Sequence, residues 1–223
     1  MAYKLEKTFL SNKLRPGAMF VALLSFLTLL LIFSLFPQGF EASGESVFHK
    51  KEYWRIFSSA LLHADLNHLS HNAFFFTGLA LLLNGYFGLM VFPVLSFLAG
   101  GIINLITLYF YPPEVQLVGI SGVVYFMAAF WLTSFILIER RQPIIKRYIY
   151  ATGMALIFLF PETFQPHTSY LAHATGFFLG IPAAGLYFLM NKQKIRNAEV
   201  WVEKPEVVID FDWEGEREGE SVP

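Results

Sequence analysis

The chain has 223 residues, no cysteine and a formal net charge of -1, with 55% hydrophobic and 15% charged residues. Soluble domains carry roughly 25% charged residues, and here the deficit is uneven: from Leu66 to Pro113 there is no Asp, Glu, Lys or Arg. A water-soluble fold is excluded, the near-neutral charge gives no reason to expect nucleic acid, and the missing cysteine rules out a cysteine nucleophile, thiolate metal sites and disulfides.

The chain reads as an all-α polytopic membrane protein. Residues 1–17 form a cytosolic N-terminal segment carrying Lys4, Lys7, Lys13 and Arg15. The first apolar run, Ala18–Phe36, is longer than the roughly 7–15 residues of a signal-peptide core, and "SLFPQGFEASG" offers no clear small-x-small cleavage site, so it reads as a retained span. Spans two and three, near Leu66–Leu83 and Leu89–Tyr109, are separated by the turn cluster "NGYFG" at 84–88. Paired prolines in "YFYPPEVQ" (109–116) stop the third. Span four covers about Ser121–Ile138 and ends at "ERRQPIIKR"; span five covers about Tyr148–Phe160 and closes at "PETFQP"; span six is Tyr170–Met190. Six spans over 18–190 suit a hydrocarbon core about 30 Å thick. From 191 to 223 the chain turns polar and acidic, ending "DFDWEGEREGESVP", the composition of a flexible cytosolic tail.

Basic residues set the orientation. The N-terminal cluster, the group Arg140, Arg141, Lys146 and Arg147 between spans four and five, and Lys192, Lys194 and Arg196 after span six all belong inside. Both termini are then cytosolic. The loop from Pro37 to His63 and those around Glu114 and Glu162 lie outside, and Lys50, Lys51 and Arg55 are offset there by Glu41, Glu45 and Glu52.

With this topology, spans two, four and six enter from the outer face, and each opens with polar groups. Span two brings His63, His68, His71 and Asn72, span four Ser121, and span six His173. Polar groups in hydrocarbon are costly and face a bundle interior or a water-filled cavity, so their arrival at one depth calls for a common reason. His68 and Asn72 share a helix face, as do Ser121, Tyr125 and Ala128. His173, Gly176 and Gly180 have the small-xxx-small spacing of closely packed helices. A helix with glycines below its histidine can approach one with an alanine below its serine, close enough for a Ser–His hydrogen bond of roughly 2.6–3.2 Å.

"GISG" at 119–122, "HLSHN" at 68–72, "AHATGFFLG" at 172–180 and "YWR" at 53–55 together resemble the motifs of the rhomboid family of intramembrane serine proteases. The resemblance runs from about Ala18 to Met190 and implies a six-transmembrane-helix, rhomboid-like bundle. It implies that Ser121 is the nucleophile and His173 its general base, with no acidic third member. It assigns the oxyanion to the Ser121 backbone N–H with His68 and Asn72, and to Tyr125 the packing that orients the histidine. Gly119 and Gly122 then allow a tight turn, Gly176 and Gly180 close helix packing, and Trp54 and Arg55 belong to the loop between spans one and two. The implied substrates are single-span membrane proteins in the lipid bilayer, cut at an active site opening to the outer face, of the cell (inner) membrane in a bacterium. No cofactor or metal is implied. One departure stands out: a Glu-Arg pair common in the family near the inner end of span two is replaced by Asn84 alone, so a cytosolic-side tether is expected to be missing.

The same residues admit other readings. Ser121 could be bonded to its own backbone, and His68 and Asn72 could be interhelical glue. His63, His68 and His71 suggest a metal cluster but lack a carboxylate or fixed geometry; outward histidines at an interface are ordinary. A catalytically silent relative would be expected to have lost the serine or the histidine, and this chain keeps both. A transporter would carry polar groups through to both faces, whereas here they stop in the outer third.

Overall fold

The computed structural model describes residues 3–36, 39–159 and 169–203. The "PETFQP" turn with Glu162, the end of the expected fifth span at Phe160 and the acidic stretch from 204 onward lie outside the described residues. Eight α-helices are described: α1 (Ala18–Leu35), α2 (Arg55–Ser58), α3 (Leu66–Phe87), α4 (Ser96–Phe110), α5 (Ser121–Ile138), α6 (Ile144–Leu159), α7 (Tyr170–Met190) and α8 (Lys192–Asn197). Strands β1 (Tyr3–Lys7) and β2 (Val200–Glu203) pair antiparallel.

Among the described residues, four helical stretches, Ala18–Leu35, Met90–Phe110, Ser121–Ile138 and Tyr170–Met190, are long and apolar enough to cross a membrane. A helix apolar on every side must lie in a core or in lipid, and α5 and α1 show the two cases. Of the α5 residues 78% are buried, against 17% for α1. Thus α5 is the axis of the bundle and α1 a peripheral helix that leaves Phe20, Leu24, Leu27 and Leu31 exposed. The core unites Phe126 and Phe130 of α5 with Phe76 and Phe92, all fully buried.

Helix boundaries depart from the sequence reading where the side chains of breakers find partners. The cluster at 84–88 does not end the second helix at Leu83; α3 continues to Phe87. Asn84 donates from Nδ2 to the Phe92 carbonyl at 2.9 Å, folding the next segment back onto the helix. A Cβ on Gly85 would lie 2.6 Å from Leu14 Cδ2, so that glycine serves close packing rather than a turn. The break falls at Gly88, whose φ is 86°. The chain then kinks within Met90–Leu95, where Phe92 has extended backbone just before Pro93, and regular helix resumes at Ser96. Helix α6, the expected fifth span, starts at Ile144 rather than Tyr148, directly after Pro143, with Arg147 donating to the Ile136 carbonyl at 2.6 Å.

The end of the bundle remote from Ser121 is more ordered than its composition suggests. Residues 191–203, expected to begin a flexible tail, form α8 and β2, with Ile195 buried. Val200, Trp201 and Val202 are strand-forming residues, and β1 offers them an edge. Buried Thr8 donates to Glu139 Oε2 at 3.1 Å, and Arg141 grips the same carboxylate at 2.6 and 2.9 Å. Arg140 and Arg196 both reach Glu199. The tether expected to be missing beside Asn84 is therefore supplied from elsewhere, by the Arg15 side chain against Gly88 and by the Thr8–Glu139–Arg141 cluster.

Candidate active site

Helices α5 and α7 approach closely, and glycine makes it possible. A Cβ on Gly176 would strike the Gly122 carbonyl oxygen, and one on Gly180 would strike the Phe126 carbonyl and lie 2.8 Å from Ala129 Cβ. The contact face of α5 is therefore Gly122–Phe126–Ala129. The sequence pattern places Ala128 there instead, on the neighbouring face; at about 100° per residue, a shift of one position moves the seam around the helix. The Ser121 face is thereby turned so that Tyr125 lies flat on His173, with ring centroids 4.0 Å apart and planes 17° from parallel.

His173 sits in the first turn of α7 and is 5% exposed, with its N–H bonded to the Ser169 carbonyl at 3.1 Å. Ser121 is the first residue of α5. The first N–H groups of a helix have no acceptor within it and carry the positive end of its dipole, so Ser121 combines a hydroxyl with a backbone donor. The turn before it needs glycine twice over. Gly119 has a φ of 110°, a conformation side chains rarely adopt, and a Cβ there would lie 2.8 Å from His68 Cε1. Among the described residues, no hydrogen bond joins Ser121 to His173.

A cavity of about 970 Å³ opens at this level, its wall including Ser121, Gly119, Gly122, His68 and His63. His68 enters it from the first turn of α3, where Asp65 caps the helix by accepting the His68 N–H at 2.8 Å. Asn72, one turn deeper, is 1% exposed, and neither its Oδ1 nor its Nδ2 has a partner among the described residues. The loop before α3 is held by Arg55, which pairs with Glu52 at 2.6 Å, donates to the Gly39 and Glu41 carbonyls and covers the Trp54 ring at 4.7 Å. Asn104 of α4 donates to the Ile56 carbonyl and Ser59 Oγ, and the Ser59 carbonyl in turn accepts the Gly119 N–H.

The model of the Rhomboid domain matches residues 50–190, well over half the chain. The chain belongs to the rhomboid family. A search of the curated proteins found no match. Rhomboids are integral membrane proteins that act on transmembrane segments in the bilayer, as intramembrane proteases or as inactive homologues.

In this rhomboid the structure gathers Ser121, Gly119, Gly122 and His68 at one cavity, stacks His173 on Tyr125, and buries Asn72 beneath. His63 is no ordinary interfacial histidine: it is 4% exposed, its ring meets that of His68 edge-on at 5.2 Å, and both of its nitrogens lack partners among the described residues. Burial, with His68 alongside, lowers its pKa to about 4, so it is neutral at pH 7. Tyr111 and Ser169 escape the motif-based reading altogether, yet their hydroxyls meet at 2.9 Å in the same cavity wall. The signal for Ser169 is a serine just ahead of an apolar helix, the usual N-cap pattern. The glycine seam gives a direct test. Gly176→Ala must push the α5 and α7 backbones apart and is expected to lower stability by about 1–3 kcal/mol, read as a lower melting temperature in detergent.

Proposed function

We propose that the chain is an intramembrane serine endopeptidase. Six spans carry it, both termini are cytosolic and the cavity opens to the outer face. The observation that supports this reading best is His173 stacked on Tyr125 across the α5–α7 glycine seam, beside a cavity lined by Ser121 and His68.

A transmembrane segment of a single-span protein enters laterally and unwinds, so that one peptide carbonyl reaches Ser121. Helix in lipid is locked by its internal hydrogen bonds, so cleavage favours segments with helix-weakening residues, and by family resemblance small side chains just before the cut. Ser121 Oγ attacks the carbonyl carbon while His173 takes its proton. The oxyanion receives the Ser121 N–H with His68 and Asn72, donors set in place before charge develops. As the tetrahedral intermediate collapses, His173 returns the proton to the leaving amine. Water from the outer face, deprotonated by His173, then hydrolyses the acyl-enzyme. The buried Asn72 amide, unpartnered among the described residues, suits a donor reserved for a transient oxyanion.

The silent-relative reading has one observation on its side: no Ser121–His173 hydrogen bond is found among the described residues. One experiment separates the two. The full chain is reconstituted in liposomes with a tagged single-span substrate, and wild type is compared with Ser121→Ala and His173→Ala. The protease reading expects two fragments from wild type only; cleavage by the Ser121→Ala protein, or none by wild type across substrates with helix-weakening residues, overturns it.

A further inference from the structure

The α5–α7 seam fixes His173 from below, through Gly176 and Gly180. A second device acts above it. Ser169 caps α7: its Oγ accepts the Ala172 N–H at 3.2 Å and its carbonyl accepts the His173 N–H at 3.1 Å. The same Oγ lies 2.9 Å from the Tyr111 hydroxyl. Tyr111 follows the last residue of α4 with extended backbone and is followed by Pro112 and Pro113, whose rings restrict the chain there. Helix α4 is itself anchored by Asn104 to the loop that also holds Gly119. The tyrosine hydroxyl is thus mounted on a braced element and bears on Ser169, which bonds the backbone of His173 through its carbonyl and caps the helix through its side chain.

We infer that Tyr111 is a positioning residue for His173, acting through the Ser169 cap. The inference rests on the protease reading. Tyr111 and Ser169 also line the cavity that contains Ser121, so the tie sits where a small tilt of the first turn of α7 changes the separation of base and nucleophile. Misplacing a reacting group by 1 Å can cost about 10²-fold in rate; the loss of one hydrogen bond, which the glycine seam resists, should cost less.

The test uses the reconstituted full chain and reads kcat and KM separately, with melting temperature alongside. Tyr111→Phe keeps the ring and removes the hydroxyl; it is expected to lower kcat about tenfold with KM unchanged at temperatures well below melting. Ser169→Ala should do at least as much, and Ser169→Thr, which restores a hydroxyl, should recover most of that loss. Tyr111→Phe combined with Ser169→Ala should be no worse than Ser169→Ala alone. Wild-type kcat in Tyr111→Phe, losses that multiply in the double variant, or a kcat that falls only as far as melting temperature does would each overturn the inference while leaving the protease reading intact. An inactive wild type overturns both.

Discussion

Ser121→Ala, His173→Ala and the double variant are expected to fall to the same residual cleavage rate, a loss on the order of 10⁴–10⁶ in kcat. A serine hydroxyl is a poor nucleophile until a base removes its proton, and the base has nothing to activate once the hydroxyl is gone. Two groups acting as one unit are lost together, so the second substitution costs almost nothing more. On the protease reading, what remains is the work of the cavity: a substrate carbonyl held near the start of α5, with donors close to its oxygen. The measurement is product accumulation over long incubations in liposomes, with all three variants checked for wild-type melting temperature. Losses that multiply would mean that Ser121 and His173 act independently, which a dyad cannot do.

The helical class and the level of the cavity are legible in the sequence because lipid leaves few choices. A charge-free stretch from Leu66 to Pro113 has no soluble solution, and polar residues grouped at helix ends mark where a cavity must be. The helix boundaries are less legible, since glycine and asparagine carry two meanings. Gly85 and Asn84 look like a turn, but one makes room for Leu14 and the other holds a carbonyl across the bundle. That choice depends on partners far away in the chain. The same limit applies to the seam: the glycines of α7 can be read, whereas the face of α5 that they meet depends on a rotation of about 100°, which Tyr125 and His173 settle by stacking.

The ends of the chain show the opposite failure. Composition alone makes 191 onward a tail, because no local run there can bury enough apolar surface by itself. Strand β2 is stabilised by β1, on the far side of the sequence, and Glu139 is held by Thr8 and Arg141. Pairings between the two ends of a chain leave no periodic trace in either. They place an ordered cap beneath α5 and α7, the helices that carry Ser121 and His173, so the two helices are tied at the end remote from the cavity as well as along their glycine seam.

Asn72→Ala is expected to lower kcat by about 10²–10³, with KM little changed, while leaving the melting temperature at or above that of wild type. The two halves of this result have one cause. The side-chain amide is 1% exposed and unpartnered among the described residues, and a buried polar group without a hydrogen bond costs about 1–3 kcal/mol. Removing it relieves that cost and gives up a few packing contacts, so stability should change by no more than about 1 kcal/mol. An oxyanion donor, by contrast, acts only when charge appears, and losing one raises the barrier by about 2.7–4 kcal/mol. His68→Ala should show the same loss of kcat, but it also removes a ring packed on Gly119 and His63, so its melting temperature should fall. If Asn72 were instead interhelical glue, the alanine variant would melt earlier and keep its turnover. Steady-state kinetics in liposomes and thermal unfolding of the same preparation distinguish the two outcomes. A residue whose removal leaves the fold as stable as before while slowing the reaction this far is there for the transition state.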